Sequence, residues 1–472
     1  MQLSSASRLL TSHFRCPEDS ADFTVASTAS SDSGYFQLGS DVVFNGECSS
    51  GFPVTLVTDT LPVACLAART NETTGQLPFD PVQAVDNLRF ERYAASSTRG
   101  NERLARNNLV RDIYYSVRPV LPVAVRKHLQ QMYLRGWEKV AFPTWPVDRT
   151  VEKILEQLFV SAMKSRNVDR VPFIWFWPDG APSCTIMTHD VETASGARFC
   201  ADLMDLNDAF EIKSSFQIVP EERYPVPQAL LDNIRNRGFE VNVHDLNHDG
   251  RLFSERAEFL RRAERINRYR QQFDAAGFRS AVLYRNVEWY DALDFSYDMS
   301  IPNVARLDPQ RGGCCTVFPF SIGRMLELPV TTTQDYSLFH ILNDYSIRLW
   351  KQQISLIREK HGLISFIIHP DYIIAKAPRR VYAELLQYLS ELRSSGETWI
   401  ALPREVDAWW RVRSELTLVK KGGSWHINGK GSERARVAYA VLAGDKLTYE
   451  LAESPPNPQI SRNSRSEELI AC

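Results

Sequence analysis

Between residues 171 and 410, short β-type runs alternate with longer amphipathic stretches, and this rhythm restricts the fold more than any other feature of the 472-residue chain. The β-type runs lie at 184–188, 215–219, 241–243, 279–284, 326–330, 364–368 and 398–401. Between them apolar residues recur at helical spacing; over 253–276, Phe253, Ala257, Leu260, Ile266, Tyr269 and Phe273 form a stripe amid Arg and Glu. Strand and helix in alternation build a parallel sheet covered by helices. Seven such units in ~230 residues predict an α/β fold of the TIM-like (β/α) barrel kind.

The flanks have other rhythms. Residues 1–40 are rich in Ser, Thr and Asp and read as a loosely ordered leader. Over 41–110 the run FPVTLVTDTLPVACLA alternates but is broken by prolines, which predicts a small β-containing N-terminal domain. Residues 111–170 are Arg- and aromatic-rich, with a helix expected at 123–137 between prolines. They read as a connecting segment packed on the next domain, in preference to a basic surface for a glycan or lipid phosphate. The barrel is expected over 171–412. Gly-Gly, Asn-Gly and Gly-Asp turns then punctuate alternating runs over 413–455, the mark of a small antiparallel extension. The Pro-, Ser- and Asn-rich 456–472 reads as a disordered tail.

Composition narrows the function classes. Lys plus Arg total 55 against 57 for Asp plus Glu, so a net charge of −2 gives no global attraction to nucleic acid or anionic lipid. The eight cysteines are scattered without a CxxC pair, which argues against a disulfide scaffold and a zinc knuckle. The N-terminal stretch lacks the apolar core of a signal peptide and no run reaches 18 apolar residues, so the expectation is a cytoplasmic protein without a transmembrane segment. Peripheral contact with a membrane and the oligomeric state are left open.

In a parallel barrel, side chains at the C-terminal strand ends converge on one rim. Here three strands are followed by imidazoles and carboxylates: His189, Asp190 and Glu192 after the first, His244, Asp245 and His248 after the third, His369 and Asp371 after 364–368. Two of only nine histidines stand four apart in EVNVHDLNHDG, where Asp-Leu-Asn and Asp-Gly signal a turn and not a helix. Two imidazoles and one carboxylate make an open site for a divalent cation, because three protein ligands leave room for a water.

The order of these elements, T-H-D-V-E, then H-D-L-N-H, then G-F-R, then I-I-H-P, resembles the polysaccharide deacetylase family, also called the NodB homology domain or carbohydrate esterase family 4. The resemblance covers about half the chain, from residue 185 to 410. It implies a distorted (β/α) barrel that removes an N-acetyl or similar acyl group from a saccharide or polysaccharide precursor with a divalent metal, zinc first, with cobalt, iron or nickel as alternatives. Carried over residue by residue, Asp190 matches the catalytic base, His244 and His248 the histidine ligands, and His369 the acid. Two departures stand out. Val191 replaces the usual second Asp, and Glu192 is expected to serve as third ligand. Arg279 matches the family's Arg but Ala281 stands where Pro is expected; if 279–285 is a strand, Arg285 shares the face of Arg279, and either could pair with Asp190. Asp298, Trp289 and Tyr372 are candidate substrate contacts. The rival readings are a hydrolase of a small non-sugar amide and a catalytically inactive barrel that binds glycan or scaffolds partners.

Overall fold

The computed structural model describes residues 5–20, 23–25, 33–49, 54–57, 60–64, 75–96 and 132–452. The helix expected at 123–137 falls mostly outside these, as does the tail beyond 452.

Nine strands form the main sheet: β1 (Cys184–Val191), β2 (Ser215–Ile218), β3 (Glu240–His244), β4 (Gly277–Arg279), β5 (Tyr297–Asp298), β6 (Phe320–Ile322), β7 (Met325–Glu327), β8 (Leu363–Ile368) and β9 (Trp399–Ile400). Their order is β6-β7-β5-β4-β3-β2-β1-β8, all parallel except the β6–β7 hairpin. Along one edge of β1, β9 pairs at Cys184–Thr185 and β2 from Thr188, while β8 runs along the other. Every residue of β1, β2, β3 and β8 is buried, because a parallel sheet is covered on both faces. The curl ends at β6 on one side and β8 on the other, and the segment that follows β7 reaches β8. There the Thr331 hydroxyl donates to Leu363 O and accepts from Ser365 N, and Thr332 N donates to Ser365 O, so an irregular threonine segment bridges what a further strand would close.

The covering helices are α1 (Thr150–Ser165), α2 (Ala194–Asp208), α3 (Gln228–Asn236), α4 (Arg256–Gln272), α5 (Arg348–Arg358), α6 (Lys376–Ser394) and α7 (Pro403–Glu415). Thr193 caps α2, its hydroxyl accepting from Gly196 N at 3.0 Å. In α4 the buried face is Phe259, Ala263 and Ile266, and Leu260 is 42% exposed. Of the expected stripe, Ile266 and Phe273 are buried and Phe253 and Tyr269 pack against the core, while Ala257 and Leu260 are exposed and Phe259 turns inward instead.

Strand β4 is shorter than the expected 279–284. It ends at Arg279, and the chain makes a tight turn at Ala281–Leu283 with positive φ at Val282 and Leu283. Residues 5–14, inside the stretch expected to be a loose leader, form a helix that buries Ala6, Leu10 and Phe14 at i, i+4 and i+8. The buried Arg413 guanidinium donates to the carbonyls of His13 and Phe14 at its C-terminal end. Gly34–Leu38, Val42–Gly46 and Val63–Ala64 form a separate three-stranded sheet. Beyond α7, Thr417–Lys421 and Ser424–Asn428 make a hairpin through Gly422 and Gly423, both at the positive φ its two-residue turn demands. Val437–Ala443 pairs with Lys446–Leu451 and with Arg170–Ile174, so the end of the described chain is sewn to the strand before the barrel. One buried apolar cluster runs from Ala6 through the barrel to Ala440. Trp175, Trp177 and Trp409 lie in it and Trp410 packs against it. Among the described residues no helix is long and apolar enough to cross a membrane.

Candidate metal-dependent active site

Parallel register brings the chemistry to one rim. Ile368, the last residue of β8, is level with His189 on β1, so His369 emerges beside Asp190. Arg279, the last residue of β4, is level with His244 on β3. Glu192 follows β1 directly, and His248 lies in a bend in which Asp245, His248 and Gly250 all have positive φ. The spacing of four thus works through a turn, not a helix.

Glu192 is the meeting point. Its Oε1 lies 3.5 Å from His244 Nε2, 2.8 Å from His248 Nε2 and 3.3 Å from His369 Nε2. The carbonyl of Arg279 lies 3.1 Å from His244 Nδ1 and so fixes the ring with Nε2 directed at the cluster. Among the described residues, neither His244 Nε2 nor His248 Nε2 makes a hydrogen bond, although both are buried. Both face Glu192 Oε1 outside hydrogen-bond geometry, an arrangement that a divalent cation between them would satisfy. Glu192, His244 and His248 each offer one ligand atom within 4.8 Å of the others, as do Asp190, Glu192 and His369. Ligands at 2.0–2.2 Å in a tetrahedron stand about 3.4 Å apart, so the His244–Glu192 spacing already suits a metal and the His248–Glu192 contact needs only a small opening. The donor set fits.

Asp190 borders the cluster, its Oδ2 3.8 Å from His244 Nε2, and is held by Arg279, whose Nη1 lies 3.2 and 3.4 Å from the two carboxylate oxygens and whose Nη2 donates to the Thr188 hydroxyl at 3.1 Å. His369 is held by Asp335: Nδ1 lies 2.6 Å from Oδ1, and the His369 backbone N donates to Oδ2 at 2.8 Å. Burial alone would raise the Glu192 carboxyl, but the surrounding His248, His369 and His244 rings outweigh it and hold it well below the usual carboxylate range. Burial would likewise lower His369, yet the Asp335 and Glu192 carboxylates push it well above an ordinary histidine. His244 is raised against burial by Asp190 and Glu192. A cation held at this cluster would compete with these protons.

Three expected site residues lie elsewhere. Arg285 does not face Asp190; the turn after β4 breaks the strand periodicity, and its guanidinium pairs with Glu91. Asp298 is fully buried on β5, accepts from Ser300 N and Oγ, and so has no carboxylate edge open to a substrate. Trp289 packs on Phe259 and Phe253 against α4, with Arg256 over its ring. Tyr372 does stand at the mouth, its ring 4.8 Å from that of His369. His189 is structural: it lies against Asn207 and the Ile368 carbonyl, and burial drives its pKa down to about 3. Asp335 was missed. It comes from no strand end, and only the acidic residue in the polar run TTTQDY offered a signal.

Fold and site together define a curled α/β half-barrel whose mouth carries an imidazole-lined carboxylate, an arginine-held carboxylate and a carboxylate-held imidazole. No family model matches the chain, and no curated protein does. Solved structures it is similar to include a protein described as a polysaccharide deacetylase from Mycobacterium smegmatis, at 17% identity and a TM-score of 0.41, covering 52% of this chain and 96% of that one. They also include the peptidoglycan deacetylase of Bacillus subtilis, at 11% identity and a TM-score of 0.32, over 49% and 93%. A family 4 acetyl xylan esterase from Clostridium thermocellum, in complex with a cobalt ion, matches at 13% identity and a TM-score of 0.31, over 48% and 91%.

Proposed function

We propose that this protein is a metal-dependent amide hydrolase that removes an N-acetyl or similar acyl group from a saccharide or polysaccharide precursor. The observation that carries the reading is the convergence of three buried imidazole Nε2 atoms on Glu192 beside a carboxylate held by Arg279. Glu192, His244 and His248 would hold the cation. When bound, a divalent cation supplies a Lewis acid and makes a water acidic enough to attack near neutral pH. Asp190 is the base: its carboxylate, held against Arg279 beside the imidazole cluster, takes the proton of the attacking water. His369 is the acid, because Asp335 fixes its Nδ1 and leaves Nε2 to hand a proton to the departing amine. Tyr372, packed on the His369 ring, is the substrate contact that remains from the sequence reading. The chemistry itself is separable from the substrate: acetate release from N-acetylated sugars by zinc-loaded protein, lost on chelation, supports the reading, and release only from small non-sugar amides redirects it.

A further inference from the structure

The turn after β4 holds a conformation that its own residues disfavour. Val282 and Leu283 have φ of 59° and 53°, and a β-branched or bulky residue stays in the left-handed region only where its surroundings impose it. Three groups do so. Ala281 N donates to Asp245 Oδ2 at 3.2 Å, and Arg285 Nη1 donates to Leu283 O at 2.7 Å. The other edge of the Arg285 guanidinium engages both carboxylate oxygens of Glu91, and the two side chains are 1% and 9% exposed. Gln310 clamps the Arg285 backbone from both sides, accepting from N at 3.0 Å and donating to O at 3.2 Å.

Glu91 is itself anchored. It accepts from Gly313 N, and at Gly312 a Cβ would come within 2.5 Å of its Oε1, so the close approach requires glycine there. The far side of the turn leads straight to the site. Arg279, two residues before Ala281, holds Asp190 with its side chain, while its carbonyl faces the His244 ring and accepts from Asp245 N at 2.7 Å. Leu283 packs with Val330 and Ile367, the latter two residues before His369.

We propose that the buried Glu91–Arg285 pair is a positioning device: it holds the left-handed Val282–Leu283 turn and thereby sets Arg279 against Asp190 and the His244 ring. Neither residue touches reacting atoms. The proposal rests on the hydrolase reading for its catalytic consequence, but not for its structural one. It also gives the segment around Glu91, which lies outside the barrel, a part in the chemistry.

The test uses the full chain with Arg285→Lys, which keeps the charge but loses the planar fork. Amide hydrogen exchange over 280–285 is expected to rise roughly tenfold, the effect of losing one charge-assisted hydrogen bond. In zinc-loaded protein acting on an N-acetylglucosamine oligomer, kcat is expected to fall about 100-fold, the order produced by a displacement of about 1 Å. KM should stay within about threefold and zinc content should be unchanged. Adding Val282→Gly, which occupies positive φ without strain, should restore most of kcat. Unchanged exchange in Arg285→Lys, unchanged kcat, or an equal loss with and without Val282→Gly overturns the proposal. Increased exchange in a chain whose parent releases no acetate leaves the brace standing and sinks the hydrolase reading instead. Should Arg285→Lys fail to fold, Glu91→Gln carries the same comparison with a weakened pair.

Discussion

Two acidic clusters lie within the same sheet, one around Glu192 at the barrel mouth and one, the fully buried rear pair Asp298 and Glu327, where β5 and β7 end, and they bury carboxylates to opposite effect. At the mouth Glu192 is ringed by imidazoles and falls well below the usual carboxylate range. At the ends of β5 and β7, burial and the neighbouring Asp298 carboxylate push Glu327 well above it, with Asp298 also raised by burial. Burial and mutual repulsion therefore favour the protonated form of the rear pair. Asp298 accepts from Ser300 N and Oγ and Glu327 Oε1 from Ile301 N, while Glu327 Oε2 makes no hydrogen bond among the described residues. Desolvation is common to both clusters; what separates them is the sign of the neighbours, and the unpartnered imidazole nitrogens occur at the mouth alone of the two. In this chain the buried carboxylate ringed by imidazoles belongs to the candidate site, and the two carboxylates in parallel register, Asp298 and Glu327, do not.

The sharpest way to break this contrast is Asp190→Asn. Removing the base should lower kcat by about 10³-fold or more with the metal retained, measured by acetate release and elemental analysis on the same sample. Turnover equal to the parent would reject Asp190 as base. His244→Ala should weaken zinc binding by at least about 100-fold, read by competition with a chromogenic chelator, and activity should fall in proportion. Asp335→Asn leaves the ligands in place but gives His369 an uncharged partner. A loss of about 10²-fold in kcat with zinc affinity unchanged is the outcome that fits an acid held by Asp335.

The smallest effect concerns the rear pair. Because its pKa is raised in the folded state, the unfolded chain releases the shared proton near pH 4 while the folded chain retains it. Its contribution to stability is present in full below that pH and is lost as pH rises through the folded value. Glu327→Gln should therefore flatten the denaturant-unfolding stability between pH 4 and 7 by about 1 kcal/mol or more, while kcat stays within about threefold. A large loss of activity in that variant would erase the distinction between the two clusters.

The residues that deliver the mouth were legible because buried parallel strands leave near-continuous apolar runs, and in β1, β3 and β8 an imidazole or carboxylate follows at once. Where local propensity was overridden, the reading failed. The stretch from Arg279 to Tyr284 has strand-like side chains, yet Asp245 and Arg285 hold its backbone in a left-handed turn, and that moved Arg285 away from Asp190. Asp335 acts on His369 from 34 residues away, through an irregular segment that carries no periodic signal. The first helix escaped notice because Ser and Thr dilute a three-residue apolar stripe, Ala6, Leu10 and Phe14, whose meaning is set by packing on the barrel.

Glu192 as metal ligand, in the place where Val191 supplies none, is the claim on which the rest turns. Crystals soaked in zinc and measured on both sides of the zinc absorption edge test it directly. One anomalous peak about 2.0–2.2 Å from a Glu192 carboxylate oxygen, His244 Nε2 and His248 Nε2 is predicted. A mouth without a peak, or a zinc held by the histidines with Glu192 turned away, would contradict it.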